Sequence, residues 1–133
     1  MPESIQIVEP EEATGKYSMV IGRFSPPHPG HMKLIKAILD EGGYVFIAIR
    51  DTKLSEKDPY TYEERKAIFQ AFLVMENGSM QRVEIGKIPD IKEICFGRKV
   101  GWGVRQIRLD QKTEDISATE IRAKGDERCR DLL

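Results

Sequence analysis

The chain has 133 residues, 40% of them hydrophobic, with 21 basic side chains against 22 acidic ones and an isoelectric point near 6.2. That length fits one domain around one core, burying roughly two thirds of the unfolded surface, and leaves little room for separate catalytic and substrate domains. The balanced charge gives no support to a nucleic-acid binder that relies on a broadly basic face, but a local positive cluster would still suit an anionic small molecule.

Other classes fall away on composition. The start, MPESIQIVEPEEATGK, lacks the basic opening and apolar run of a signal peptide, and no stretch approaches the roughly 20 apolar residues of a membrane span. Cys95 and Cys129 do not make a disulfide scaffold. With only two histidines beside them, a structural zinc site is not expected. The expectation is a cytoplasmic protein with reduced thiols.

Residues 1–16 are polar and broken by Pro2, Pro10 and Gly15, so they read as a tail or edge arm preceding a single domain over 17–133. Tyr17 to Ile21 is a short run rich in β-favouring residues and predicts a buried strand ending at Gly22. From His31 to Leu39, the spacing of Leu34, Ile35, Ile38 and Leu39 predicts a helix, stopped by Gly42-Gly43. Tyr44 to Ile49 is apolar almost throughout, as in a parallel strand covered on both faces. A polar loop then leads to a helix from Thr61 or Tyr62 to Glu76, with Thr61 and Glu64 at capping-box spacing and Ile68, Phe69, Phe72 and Leu73 inward. Met80–Ile85, Ile94–Phe96 and Val104–Leu109 are weaker strand candidates, and a terminal helix is expected from about Ala118. The alternation predicts an α/β fold: a compact, Rossmann-like, mostly parallel sheet with helices on both faces.

The chemical signal lies in the first strand-to-helix turn, Gly22-Arg23-Phe24-Ser25-Pro26-Pro27-His28-Pro29-Gly30-His31. An open parallel sheet places its ligands beyond the C-terminal strand ends, beside a helix N-terminus whose amides and dipole suit phosphate. Gly22 and Gly30 would permit close approach by an anion, and His28 and His31 could donate imidazole hydrogen bonds to phosphate oxygens. An isolated histidine is more often structural or simply exposed. Here the only two sit three positions apart in one junction, beside Arg23. The turn is neither the dinucleotide GxGxxG nor the P-loop GxxxxGK[ST].

GRFSPPHPGH at 22–31 and ISATEIR at 116–122 resemble the two signatures of the HxGH nucleotidyltransferase superfamily, the cytidylyltransferase-like enzymes, with Ala118 replacing the more usual small hydroxyl residue. The resemblance spans almost all of 17–124. It implies transfer of a nucleoside monophosphate from ATP or CTP, with Mg²⁺, to a small phosphate-bearing acceptor, with release of pyrophosphate and no covalent enzyme intermediate. It implies that His28 and His31 hold the triphosphate and stabilise charge at the α-phosphoryl group. Ser117 and Thr119 would bind the β- and γ-phosphates, and Arg122 would add a charge-assisted contact. Gly22, Arg23, Phe24 and Gly30 belong to the first motif and are candidate nucleotide contacts.

Arg65, in DPYTYEERKAIF, resembles a family arginine directed at the phosphates, and equally fits the wet face of an ordinary helix. Arg50 and Lys53 follow the second strand and should border the same mouth. Lys57 and Lys66 read as solvent-facing. Trp102 and Phe96 could stack on a base or acceptor ring, or pack in the core. The GRF opening and DPYT segment resemble nicotinamide-mononucleotide adenylyltransferases. The compact length and YEERK look like glycerol-3-phosphate-type cytidylyltransferases. Adenylyl transfer is the expectation, cytidylyl transfer the alternative, and a non-catalytic nucleotide-binding module a third reading. No nucleic-acid or membrane partner is expected. A homo-oligomer is compatible with a small α/β domain that has an edge strand.

Overall fold

A computed structural model describes residues 4–9, 15–76, 79–95 and 102–109. Its elements are β1 (Ser4–Val8), β2 (Tyr17–Gly22), α1 (Pro29–Asp40), β3 (Tyr44–Asp51), α2 (Tyr62–Met75), a short 3₁₀ turn (Ser79–Arg82), β4 (Val83–Pro89) and β5 (Val104–Ile107). The predicted terminal helix lies outside the described residues.

The α/β class is present, and the sheet structure is mixed. Strands β2, β3 and β4 form a parallel sheet in that order, registered from Tyr17↔Tyr44 to Gly22↔Ile49 and from Val45↔Val83 to Asp51↔Pro89. Their C-terminal ends therefore share one edge. Alternate strand residues Val20, Val45, Ile47, Ile49 and Val83 form one buried cluster with Met32, Ile35, Ile38 and Leu39 of α1 and Phe69 and Leu73 of α2. The helical spacing read from the sequence is thus the spacing that fills the core. The capping box of α2 is also as expected: the Glu64 amide donates to Thr61 Oγ1 at 3.1 Å, and the Thr61 amide donates to Glu64 Oε1 at 3.0 Å. Gly42, at φ +84°, ends α1.

Of the two readings of the N-terminal segment, tail or edge arm, Ser4–Val8 takes the second: it pairs antiparallel with β5, with Ser4 opposite Ile107. Two other expectations need correction. Strand β5 accordingly belongs to a separate two-stranded ribbon and not to the parallel sheet. Its ladder partners come from the antiparallel N-terminal strand. Finally, β4 begins at Val83, after the 3₁₀ turn, and Ile94-Cys95 is not a strand; Ile94 is 64% exposed, with no strand pairing among the described residues.

The ribbon is tied to α1 by a two-pronged contact of the Arg105 guanidinium with the Glu41 carboxylate, at 3.0 and 2.9 Å. Hydrogen bonds from Arg105 hold Glu41 below the usual carboxylate range. A second arginine closes the end of α1: Arg82 Nη1 donates to the carbonyls of Leu39 (3.0 Å) and Gly43 (2.9 Å). Replacing Arg82 with alanine removes both bonds, one to a Leu39 carbonyl that also accepts the Gly42 amide at 2.9 Å and one to the Gly43 carbonyl just beyond the helix. The expected loss is about 1–2 kcal/mol of unfolding free energy, read as a lower urea midpoint at unchanged slope. An unchanged midpoint would show that the helix end is satisfied without it.

Candidate active site

Beyond the C-terminal end of β2 the chain turns sharply. Phe24 adopts φ +52°, a left-handed conformation unfavourable for a bulky residue. Its ring is wedged edge-on between His31 and Phe69, with centroids 4.8 Å from each, and burial of the ring sustains the strain. A Cβ on Gly22 would fall 2.9 Å from two carbons of that ring. Gly22 therefore has a packing reason to be glycine, independent of any ligand. Ser25, Pro26 and Pro27 follow, all buried, with a cis bond between Ser25 and Pro26.

The two histidines begin α1. His28 is the N-cap residue, and its Nδ1 accepts the Gly30 amide at 3.1 Å. The His28 amide in turn donates to Nδ1 of His31 at 3.2 Å. This is a capping box built from imidazoles, with the rings stacked at a centroid separation of 3.7 Å. Because each Nδ1 accepts a hydrogen bond, each neutral ring carries its proton on Nε2, which becomes its donor atom. Burial lowers the pKa of His28 to about 4. Burial, then repulsion from His28, lowers that of His31 to about 3. At neutral pH the pair presents two uncharged N–H donors at a helix N-terminus.

Arg65 is not on a wet helix face: it is 1% exposed. Its Nη1 donates to the Arg23 carbonyl (2.7 Å) and the Arg50 carbonyl (2.8 Å), and its Nε donates to the Thr61 carbonyl (3.2 Å). The guanidinium thus clamps the loop after β2 to the end of β3. Beside it lies a second polar pair that sequence reasoning passes over. The buried Ser25 hydroxyl donates to Asp58 Oδ1. Burial acts to raise the Asp58 pKa, but the hydrogen bond from Ser25 and the charges of Arg65 and Arg23 outweigh it and hold it below the usual value. The sequence signal for it is the Asp58-Pro59 turn before α2.

The structure thus brings Gly22, Arg23, Phe24, His28, Gly30, His31, Arg50 and Arg65 to one edge of the sheet. Arg23 and Lys53 are exposed there. Arg50 is engaged with the segment after β4, its Nη2 lying 2.6 Å from Asp90 Oδ1 and 3.1 Å from the Ile91 carbonyl. Trp102 is 65% exposed, which excludes a core role. Lys66 is half-buried, not fully solvent-facing. Phe96, Ser117, Thr119 and Arg122 lie outside the described residues. Among those residues no cluster of three His, Cys, Asp or Glu side chains could hold a metal ion, and no helix is long and apolar enough to cross a membrane.

A parallel sheet with two imidazoles capping the first helix, in the His28-Pro29-Gly30-His31 sequence, defines an α/β protein of the HxGH type. Residues 19–85 match the model of the cytidylyltransferase-like family, and the chain belongs to that family. A nicotinamide-nucleotide adenylyltransferase of Caldivirga maquilingensis is 40% identical over 76 residues, 56% of this chain and 43% of that protein. One from Pyrobaculum aerophilum is 32% identical over 148 residues, 89% of this chain and 83% of that protein. A bifunctional NMN adenylyltransferase/ADP ribose pyrophosphatase from Francisella tularensis, solved with AMP and a Mn ion, superposes with a TM-score of 0.52 at 30% identity, over 56% of this chain and 23% of that one. This chain spans less than half the length of the first curated relatives it matches.

The depressed histidine pKa values set a pH dependence of stability. Between pH 6.5 and about 4 the unfolded chain takes up protons on these rings and the folded chain does not, so stability falls as pH falls through this window. Urea midpoints measured from pH 7 to pH 5 should decline in the native protein and decline less in His28→Asn/His31→Gln. Equal slopes would show that the rings are not held neutral by the fold.

Proposed function

We propose that the protein is an adenylyltransferase that passes the AMP group of ATP to a small phosphate-bearing acceptor, with nicotinamide mononucleotide the foremost candidate. An acceptor phosphate oxygen would bond to the α-phosphorus as the bond to the β-phosphate bridging oxygen breaks, releasing pyrophosphate. The observation that carries the reading is the imidazole capping box at the strand ends. It offers two fixed, uncharged Nε2–H donors for oxygens whose charge grows in the transition state, without reorganisation during reaction. The names of the relatives favour ATP and the nicotinamide acceptor for this chain.

In this reading Arg23 and Lys53 supply positive charge at the mouth, Arg50 joins them when it leaves Asp90, and Arg65 shapes the loop. Ser117, Thr119 and Arg122 are assigned the β- and γ-phosphates by motif alone. The Gly30 amide already donates to His28, so its part is to allow close approach. With no carboxylate cluster among the described residues to hold a resident ion, Mg²⁺ belongs to the proposal as the companion of the triphosphate, where it neutralises phosphate charge. A Rossmann-like completion of the sheet and a cytoplasmic location belong to the same proposal.

One observation favours a second reading. The alignment with the Pyrobaculum aerophilum protein runs over 148 positions, more than this chain's 133 residues, so that relative carries segments absent here. A reduced acceptor region suits a smaller alcohol phosphate with CTP as donor, or a nucleotide-binding module without turnover.

Pyrophosphate release with ATP and CTP, each against nicotinamide mononucleotide, pantetheine phosphate and glycerol 3-phosphate, separates the three. ATP with nicotinamide mononucleotide should give the highest kcat/KM. His28→Ala and His31→Ala should each lower kcat about 10²–10³-fold while remaining folded by circular dichroism, the effect of deleting one transition-state donor. Near-normal turnover in both variants removes the mechanism, and binding of both nucleotides without turnover favours the module.

A further inference from the structure

We propose that Asp58 is a positioning residue: by holding the Ser25 hydroxyl it fixes the loop that delivers His28 and His31 to the triphosphate. The inference rests on the nucleotidyl-transfer reading of that site.

The loop from Gly22 to His28 lacks two backbone donors at its centre. Pro26 and Pro27 have no N–H to donate, and the left-handed Phe24 precedes them. The Ser25 side chain sits midway and is 4% exposed, and its hydroxyl reaches across 33 positions of sequence to a carboxylate that is itself 5% exposed. That carboxylate stands on a closed turn. The Asp58 amide donates to the Ser55 carbonyl and hydroxyl, each at 3.1 Å, and the Ser55 amide donates back to the Asp58 carbonyl at 3.0 Å. The turn leads within three residues to Thr61, whose capping box starts α2, and Arg65 on α2 grips the Arg23 carbonyl at the other end of the loop. The loop is therefore pinned from below at Arg23 and Ser25, and by the Phe24 ring between them. A buried carboxylate is costly unless it is paired and hydrogen-bonded, and the Ser25 hydroxyl and the Arg23 and Arg65 charges that compensate this one belong to the loop or to the residue that grips it. No part of Asp58 needs to touch the nucleotide for it to set where the imidazoles stand, and displacement of a catalytic group by about 1 Å can cost about a hundredfold in rate.

The test compares native protein with Ser25→Ala, Asp58→Ala, Asp58→Asn and the Ser25→Ala/Asp58→Ala double variant, using steady-state kinetics with ATP, the dissociation constant for ATP, and thermal melts. Asp58→Ala should raise the KM for ATP about tenfold and lower kcat. A protein that is merely less stable loses active fraction at unchanged KM. Asp58→Asn keeps an oxygen to accept from Ser25 and should stay within about threefold of native. The double variant should be no worse than Asp58→Ala, because the two side chains act as one contact. If Asp58→Ala does not fold, Ser25→Ala, which deletes only the hydroxyl, should still raise KM severalfold. Native KM in both single variants, or losses that multiply in the double variant, overturns the proposal while leaving the function intact. Absence of turnover in the native protein overturns the nucleotidyl-transfer reading instead, and the dissociation constants then decide whether Asp58 positions the loop for binding.

Discussion

Two imidazoles close the first turn of α1, and the atoms that do so also decide what the rings can offer a ligand. The first amides of a helix have no internal acceptor. Here they find one in Nδ1 of His28 and, reciprocally, Nδ1 of His31. That choice leaves the protons on Nε2. Protonating either ring fully would turn its Nδ1 from acceptor to donor and break the cap, so helix initiation and ring neutrality are one constraint. Charge for holding a polyphosphate must then come from outside the pair. Arg23 and Lys53 stand exposed at the same edge, and Arg50 is held close by through Asp90.

The second constraint is the buried Arg65 guanidinium. A cation taken out of water requires compensation, and Arg65 has backbone carbonyls from three chain segments together with the nearby charges of Asp58 and Asp51. Burial pulls its pKa down and those carboxylates push it back up. The three carbonyls belong to the loop after β2, the end of β3 and the start of α2, so the clamp sets the distances among the segments that frame the mouth. A lysine could not reproduce it, since the contacts depend on a planar fork with several N–H directions.

How much of this was legible depends on whether a residue's role is local. The helices were, because Leu34, Ile35, Ile38 and Leu39, like Ile68, Phe69 and Leu73, bury one side of a 3.6-residue period. So was the Thr61–Glu64 box, a three-residue pattern. The histidines could be located from sequence, but not their role as caps, which uses Nδ1 geometry. Arg65 was ambiguous since Glu63, Glu64 and Lys66 surround it, and its burial arises only when β2 and β3 bring carbonyls to it. Ser25 and Asp58 are 33 residues apart, and the pairing of Ser4–Val8 with Val104–Ile107 spans almost the whole chain. Contacts of that kind leave no periodic trace.

The distribution of these constraints along the chain also bears on substrate choice. Every described group that shapes the histidine turn lies between Gly22 and Phe69, within the stretch 19–85 that carries the family match. The later described segments are held differently: Asp90 and Ile91 by Arg50, and the β5 ribbon by Glu41 and Arg105, with Trp102 exposed beside it. Under the proposed function, the histidine end of the donor site is therefore pinned by its own arginine, carboxylate and imidazoles, with Ser117, Thr119 and Arg122 assigned to the β- and γ-phosphates from the far end of the chain. The hydrogen bonds described for the turn, from Arg65, from Ser25 to Asp58 and within the histidine cap, all stay inside that stretch. A relative carrying additional segments and a chain lacking them can then share one phosphate chemistry and differ in the acceptor they admit.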